Sequence, residues 1–170
     1  QNVKMVGSDP GIGAELNGGT HMSFEDIAIM RNIPGMCIVE PVDCNQFEAL
    51  FPQIVEHKGP VYIRLFRKKA WKIFDREESI TLGKGILLKE GTDVTIVASG
   101  IMVKEALEAA EILESANIHA EVINIHTIKP LDEEIIVNSV NKTGCCVTAE
   151  NAFMNNGLGS AITDCVCANK

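Results

Sequence analysis

At 170 residues, 46% of them hydrophobic and 22% charged, the chain is long enough for one ordinary domain or two small ones and can fill a core. Its formal net charge of −8 argues against nucleic acid, whose phosphates are gripped through Lys and Arg, and against an anionic membrane surface. No apolar run approaches the roughly 18 residues of a membrane span, and the opening QNVKMVGSDP lacks the basic start and apolar stretch of a secretory signal. The six cysteines, at 37, 44, 145, 146, 165 and 167, form no CxxC pair and match no zinc spacing. They read as reduced, small hydrophobes, which implies a cytoplasmic, reducing compartment.

In chain order, VKMVGS (3–8) reads as a short buried strand that runs into the glycine-rich GSDPGIGAELNGGTH (7–21). Ser23 is a plausible N-cap for a helix carrying Phe24, Ile27, Ala28 and Arg31, ended by Pro34-Gly35. MCIVE (36–40) is an apolar strand. Asp43 then caps a helix with Phe47, Leu50, Phe51, Ile54 and Val55 on one face and Pro52 as a bend, and VYIRLF (61–66) is the next strand. The connector RKKAWKIFDREESI has no period. GILLKE (85–90) and DVTIVAS (93–99) flank Gly91, which suggests a hairpin. The spacing predicts a helix over about 101–116, with Val103, Leu107, Ala110 and Leu113 inward and Glu105, Glu108, Glu111 and Glu114 in solvent. AEVINI (120–125) is a strand, Asp132 caps another helix, CCVTAE (145–150) is a strand, and NNGLGS leads into a last helix. Strands alternating with helices give an α/β fold, here two small α/β units with mostly parallel sheets: residues 1–69, a linker at 70–82, and 83–170.

Open parallel sheets bind ligands beyond the carboxyl ends of their strands. The glycine loop follows strand 3–8 and Arg67 follows strand 61–66, so the two meet if those strands are neighbours. His21, beside Gly18-Gly19-Thr20, can move a proton or simply hydrogen-bond a turn. Asp9 and Asn17 are candidate substrate ligands or ordinary turn formers. Arg64, Arg67, Lys68, Lys69 and Lys72 could hold a phosphate or carboxylate, or form a solvated linker. GLGSAI (157–162) is a tight turn or, less well supported by its spacing, an anion cradle at a helix N-terminus. No spacing marks a metal site, and His57, His119 and His126 lack partners at ligand distance in sequence.

The stretches GSDPGIGAELNGGTHMSFEDIAIMRNIPGM, EPVD, GPVYIRLFRK, DVTIVASGIMVKEALEAAEILE, VINIHTIKPLDEEII, VTAEN and NGLGSAI, in this order, resemble the C-terminal half of transketolases. Split bacterial forms, with that half as a separate chain, are the nearest likeness. The 1-deoxyxylulose-5-phosphate synthases and the 2-oxo acid dehydrogenase beta subunits share the plan more weakly. The resemblance implies a partial pyrimidine-binding domain followed by a transketolase C-terminal domain. It also implies thiamine diphosphate and Mg as cofactors, sugar substrates, an N-terminal transketolase section or domain as partner, and a homodimer or heterotetramer. His21 matches the family histidine that assists substrate proton transfer, and Arg67 the arginine that grips the sugar phosphate.

Asp9 stands where transketolases usually have a histidine, Asn17 where they have an aspartate, and Ala152 where relatives often read a histidine after Glu-Asn. The first two departures lie in the substrate loop and imply an altered substrate, one lacking a terminal phosphate. The family's activating glutamate and its metal and diphosphate ligands fall outside these residues, and the family's last domain continues further. The expectation is therefore a transketolase-type transferase, from ketose to aldose, inactive as this fragment alone and trimmed at both ends. A 2-oxo acid dehydrogenase beta-like component and a non-catalytic assembly domain are the alternatives.

Overall fold

The structure, a computed structural model, describes residues 1–169. Two four-stranded sheets hold eight strands: β1 (Lys4–Ser8), β2 (Cys37–Val39), β3 (Val61–Leu65), β4 (Ile86–Lys89), β5 (Val94–Ala98), β6 (Ala120–Asn124), β7 (Thr127–Lys129) and β8 (Cys146–Ala149). Five α-helices join them: α1 (Asp26–Arg31), α2 (Cys44–Glu56), α3 (Met102–Glu114), α4 (Glu133–Thr143) and α5 (Leu158–Ala168). The strand orders are β1-β3-β2-β7 and β4-β6-β5-β8. The β1–β3, β2–β3, β5–β6 and β5–β8 pairings are parallel, as the alternation of strands and helices predicts.

Two pairings were not legible in the pattern. β4 and β5 form no hairpin: β4 runs antiparallel to β6, and β5 lies on the far side of β6. Gly91 packs tightly where the chain crosses, since a Cβ there would lie 2.2 Å from the Ala120 carbonyl carbon. The N–H groups of Thr92 and Asp93 both donate to the His119 carbonyl. The chain thus crosses over the start of β6 instead of folding back. β7 is the second surprise. Three residues long, it leaves the C-terminal unit and pairs antiparallel with β2, finishing the first sheet.

The two units are bound further by a shared interior. Cys37, Val39, Leu50 and Ile54 pack in one cluster with Ile96, Val103, Ala110 and Val122. Gln46 of α2 donates to Asn124 Oδ1 of β6 at 2.6 Å, both side chains fully buried. The α2 stripe is narrower than its spacing implies: Leu50 and Ile54 are buried, while Phe51 and Val55 are half exposed.

Caps also differ from expectation. Asp43 does cap α2, its Oδ1 accepting from Gln46 N at 2.7 Å. Ser23 does not cap α1, which begins three residues later; its carbonyl is drawn to Gly11 N at 2.7 Å. Asp132 sits at the N-cap of α4 but turns its carboxylate to Gly85 N (2.9 Å), bracing the entry to β4. Residues 70–82 contain no helix or strand, yet Phe74 and Ile80 are buried and the segment is strapped to α2.

Candidate functional site

β1 and β3 are adjacent, parallel and in register, with Ser8 opposite Leu65. Their carboxyl ends therefore deliver the glycine loop and Arg67 to one place. Asp9 N donates to Leu65 O at 2.7 Å, which turns the chain into the loop at a backbone conformation of φ +61. Residues Gly11–Asn17 then form 3-10 turns.

Asp9, Asn17 and Arg67 come together there. One guanidinium nitrogen of Arg67 lies 2.9 Å from Asp9 Oδ2, an ion pair without good hydrogen-bond alignment, and donates to Asn17 Oδ1 at 3.0 Å. The Arg67 backbone N–H also donates to Asp9 Oδ1, at 3.4 Å. Asp9 is buried, whereas the Arg67 side chain is 61% exposed. The cluster therefore offers solvent a cation whose charge is already shared with a carboxylate beneath it. His21 is exposed, its Nδ1 2.9 Å from Thr20 Oγ1, and makes no hydrogen bond to that cluster among the described residues.

The basic run does not act as one patch. Arg64 is fully buried and Lys72 pairs with Asp75, while Arg67 and Lys68 both engage the loop, Arg67 through Asp9 and Asn17 and Lys68 through Glu15. The α5 N-terminus is taken as well. Glu150 accepts from Leu158 N at 2.7 Å and Gly159 N at 2.9 Å, so a carboxylate from this chain fills the place a bound anion would need. A Cβ on Gly157 would lie 2.1 Å from Glu150 Oε2, which is why glycine opens the helix. Burial raises the Glu150 pKa, against the pull of those two N–H groups.

Behind the loop lies a charged network that sequence reasoning missed. Arg64 donates to Asp26 (2.7 and 3.1 Å), to Glu40 (2.5 Å) and to the Asn151 carbonyl (2.7 Å). Tyr62 OH donates to Asp26 Oδ2 at 2.7 Å, and Ser99 Oγ to Glu40 Oε2 at 2.6 Å. Burial and the neighbouring Asp26 raise the Tyr62 pKa. The available signal was an arginine inside the apolar run VYIRLF: a charge in a buried strand needs acids facing it.

Among the described residues no three His, Cys, Asp or Glu side chains gather to hold a metal ion, and all six cysteines are free. No helix among them is long and apolar enough to cross a membrane.

Two α/β units with mostly parallel sheets, with a glycine loop and an arginine at adjoining strand ends, define an α/β protein of the open-sheet class. The transketolase pyrimidine-binding domain family matches residues 1–71, and the transketolase C-terminal domain family residues 83–169. The chain belongs to the transketolase family. It is 62% identical over 168 residues to the 6-deoxy-6-sulfo-D-fructose transketolase subunit SqwH of Clostridium sp. (strain MSTE9), covering 99% of this chain and 52% of that protein. It is 36% identical over 169 residues to an apulose-4-phosphate transketolase subunit of Phocaeicola vulgatus, covering 99% and 54%. A solved structure described as a split gene transketolase, inactive beta4 tetramer, superposes with a TM-score of 0.90 at 40% identity, covering 98% of this chain and 53% of that one. The chain spans about half the length of these relatives.

Proposed function

We propose that this chain forms the C-terminal part of a thiamine-diphosphate-dependent ketol transferase, which moves a two-carbon unit from a ketose to an aldose. The observation that carries this is the registered β1–β3 pair, which brings Asp9, Asn17 and Arg67 together beside the loop ending in His21. The family matches and the named relatives favour ketol transfer over the oxo acid chemistry of a dehydrogenase beta subunit. Thiamine diphosphate, when bound, supplies the nucleophilic carbon for the transfer. Its diphosphate and Mg would be held by an N-terminal section, where the family resemblance places those ligands. His21 would exchange protons with substrate hydroxyls, and Arg67 would hold the far end of the sugar. Alone, the chain is inactive, in line with the beta4 assembly of the split-gene relative; with its partner it forms a homodimer or heterotetramer. A reducing cytoplasm suits its six free cysteines.

The substrate we propose is a ketose ending in a sulfonate. Arg67 already shares its charge with Asp9, so the cluster is close to neutral. A phosphate ester brings about −1.5 to −2 charges at pH 7, a sulfonate one. Each extra charge near the Asp9 carboxylate costs about 1 kcal/mol at 4 Å in water and more with partial burial. The sulfofructose relative points the same way. The test is ketol transfer by the chain reconstituted with its N-terminal section, comparing 6-deoxy-6-sulfofructose with fructose 6-phosphate and the pentose phosphates. A higher kcat/KM for the sulfonate is expected. Equal or better turnover of the phosphates sinks the substrate assignment, and no ketol transfer with either sinks the function.

A further inference from the structure

We infer that Asn151, in the C-terminal unit, is a positioning residue that sets the geometry of the substrate loop in the N-terminal unit. Its side chain grips the loop backbone from both sides of one residue. Nδ2 donates to the Pro10 carbonyl at 3.0 Å, and Oδ1 accepts from the Ile12 N–H at 2.9 Å. Gly11 lies between, at φ +60, pressed so close that a Cβ would sit 2.3 Å from Asn151 Oδ1 and 2.5 Å from its carbonyl oxygen. Asp9 is one residue away from this clamp, with its own left-handed backbone turn at φ +61. The clamp and that turn together fix where the Asp9 carboxylate stands beneath Arg67.

Asn151 is itself held from behind. Its carbonyl accepts from Arg64 Nη2 at 2.7 Å, and Arg64 is fully buried between Asp26 and Glu40. The order of support therefore runs from the buried arginine to the Asn151 main chain, from its side-chain amide to residues 10–12, and from those to Asp9 and Arg67. No other type of side chain of this size offers a neutral donor and a neutral acceptor in one plane. Aspartate in its place would set a carboxylate against the Pro10 carbonyl. The main-chain bond to Arg64 survives any substitution at 151, so a variant keeps the anchor and loses only the clamp.

The inference rests on the proposed substrate role of this loop, and its test separates the two. Asn151→Ala and Asn151→Asp are followed by hydrogen exchange in the isolated chain. Exchange within residues 9–17 is expected to speed up by roughly tenfold or more in Asn151→Ala, the loss of about two ordinary hydrogen bonds, with α3 and β5 unchanged. In Asn151→Asp, Ile12 keeps an acceptor, so its amide should stay better protected than in Asn151→Ala. In the reconstituted enzyme, Asn151→Ala should raise the ketose KM by about tenfold while the Kd for thiamine diphosphate stays put. Unchanged exchange in residues 9–17 overturns the positioning role whatever the kinetics. Faster exchange with an unaltered KM overturns its bearing on substrate. A wild-type enzyme without ketol transfer leaves the exchange result standing and removes the proposed function instead.

Discussion

His126 shows how burial of one titratable ring ties stability to pH. The ring is fully buried, and Nδ1 lies 2.9 Å from Thr127 Oγ1. Burial holds its pKa down to about 4, against 6.5 for the free ring. The unfolded chain therefore binds a proton that the folded chain refuses, and stability falls as pH drops through 6.5 towards 4. Between pH 7.5 and 5 the loss is about 2 kcal/mol from this residue. Urea titrations of the native chain and His126→Gln at both pH values should show a pH slope shallower in the variant by about that amount; equal slopes would place the titrating group elsewhere. The sequence marked His126 only as a histidine without ligand partners. Asp9, Asn17 and Arg67 were legible as neighbours because two strand ends predict a meeting place. Arg64 was not, because its partners come from three separate segments of chain.

At the scale of elements, local signals served best where one segment supplied both halves of a contact. Asp43 was legible as the α2 cap because Ser, Thr, Asp and Asn at that position satisfy the first N–H groups of the helix that follows. Its second task was not. The other carboxylate oxygen, Oδ2, accepts from Ile73 N at 2.7 Å and Phe74 N at 2.8 Å, and Asn45 donates to Phe74 O at 2.7 Å. The same carboxylate thus starts a helix and pins the connector thirty residues away, drawing Phe74 into the core. The missed β7 and the hairpin wrongly expected at Gly91 have the same origin. Both are decided by the partner strand, which no local period records. Asp43→Ala should lower stability by about 2–4 kcal/mol, a cap at about 1 plus connector N–H groups left without acceptors. Limited proteolysis should then cut first within 70–82. A loss below about 1 kcal/mol, with an uncut connector, would reduce Asp43 to an ordinary cap.

For the whole molecule, the question is whether two sheets of different topology behave as one body. The pattern of strands, helices and a basic, aromatic connector suggested two units, and each does have its own sheet. What crosses between them is substantial: β7 completes the first sheet, one apolar cluster draws on both, and Gln46–Asn124 and Arg64–Asn151 bridge the seam. Buried polar links of this kind cannot be opened cheaply, since each partner would be left uncompensated. We therefore expect a single cooperative unfolding transition. Trp71, the only tryptophan, lies in the connector with Lys104 of α3 4.6 Å above its ring, so its fluorescence follows the docking of the connector on α3. Far-ultraviolet circular dichroism reports on the helices of both units. The two probes should give coincident urea midpoints. In Arg64→Met both midpoints should fall together, by an amount equivalent to about 3–5 kcal/mol, because Asp26 and Glu40 lose the cation between them. Separate midpoints in the native chain would mean that the units fold independently, and that the apolar cluster and its hydrogen bonds form only after each sheet is complete. Coincidence in the native chain but separation in Arg64→Met would make the buried arginine the element that couples them.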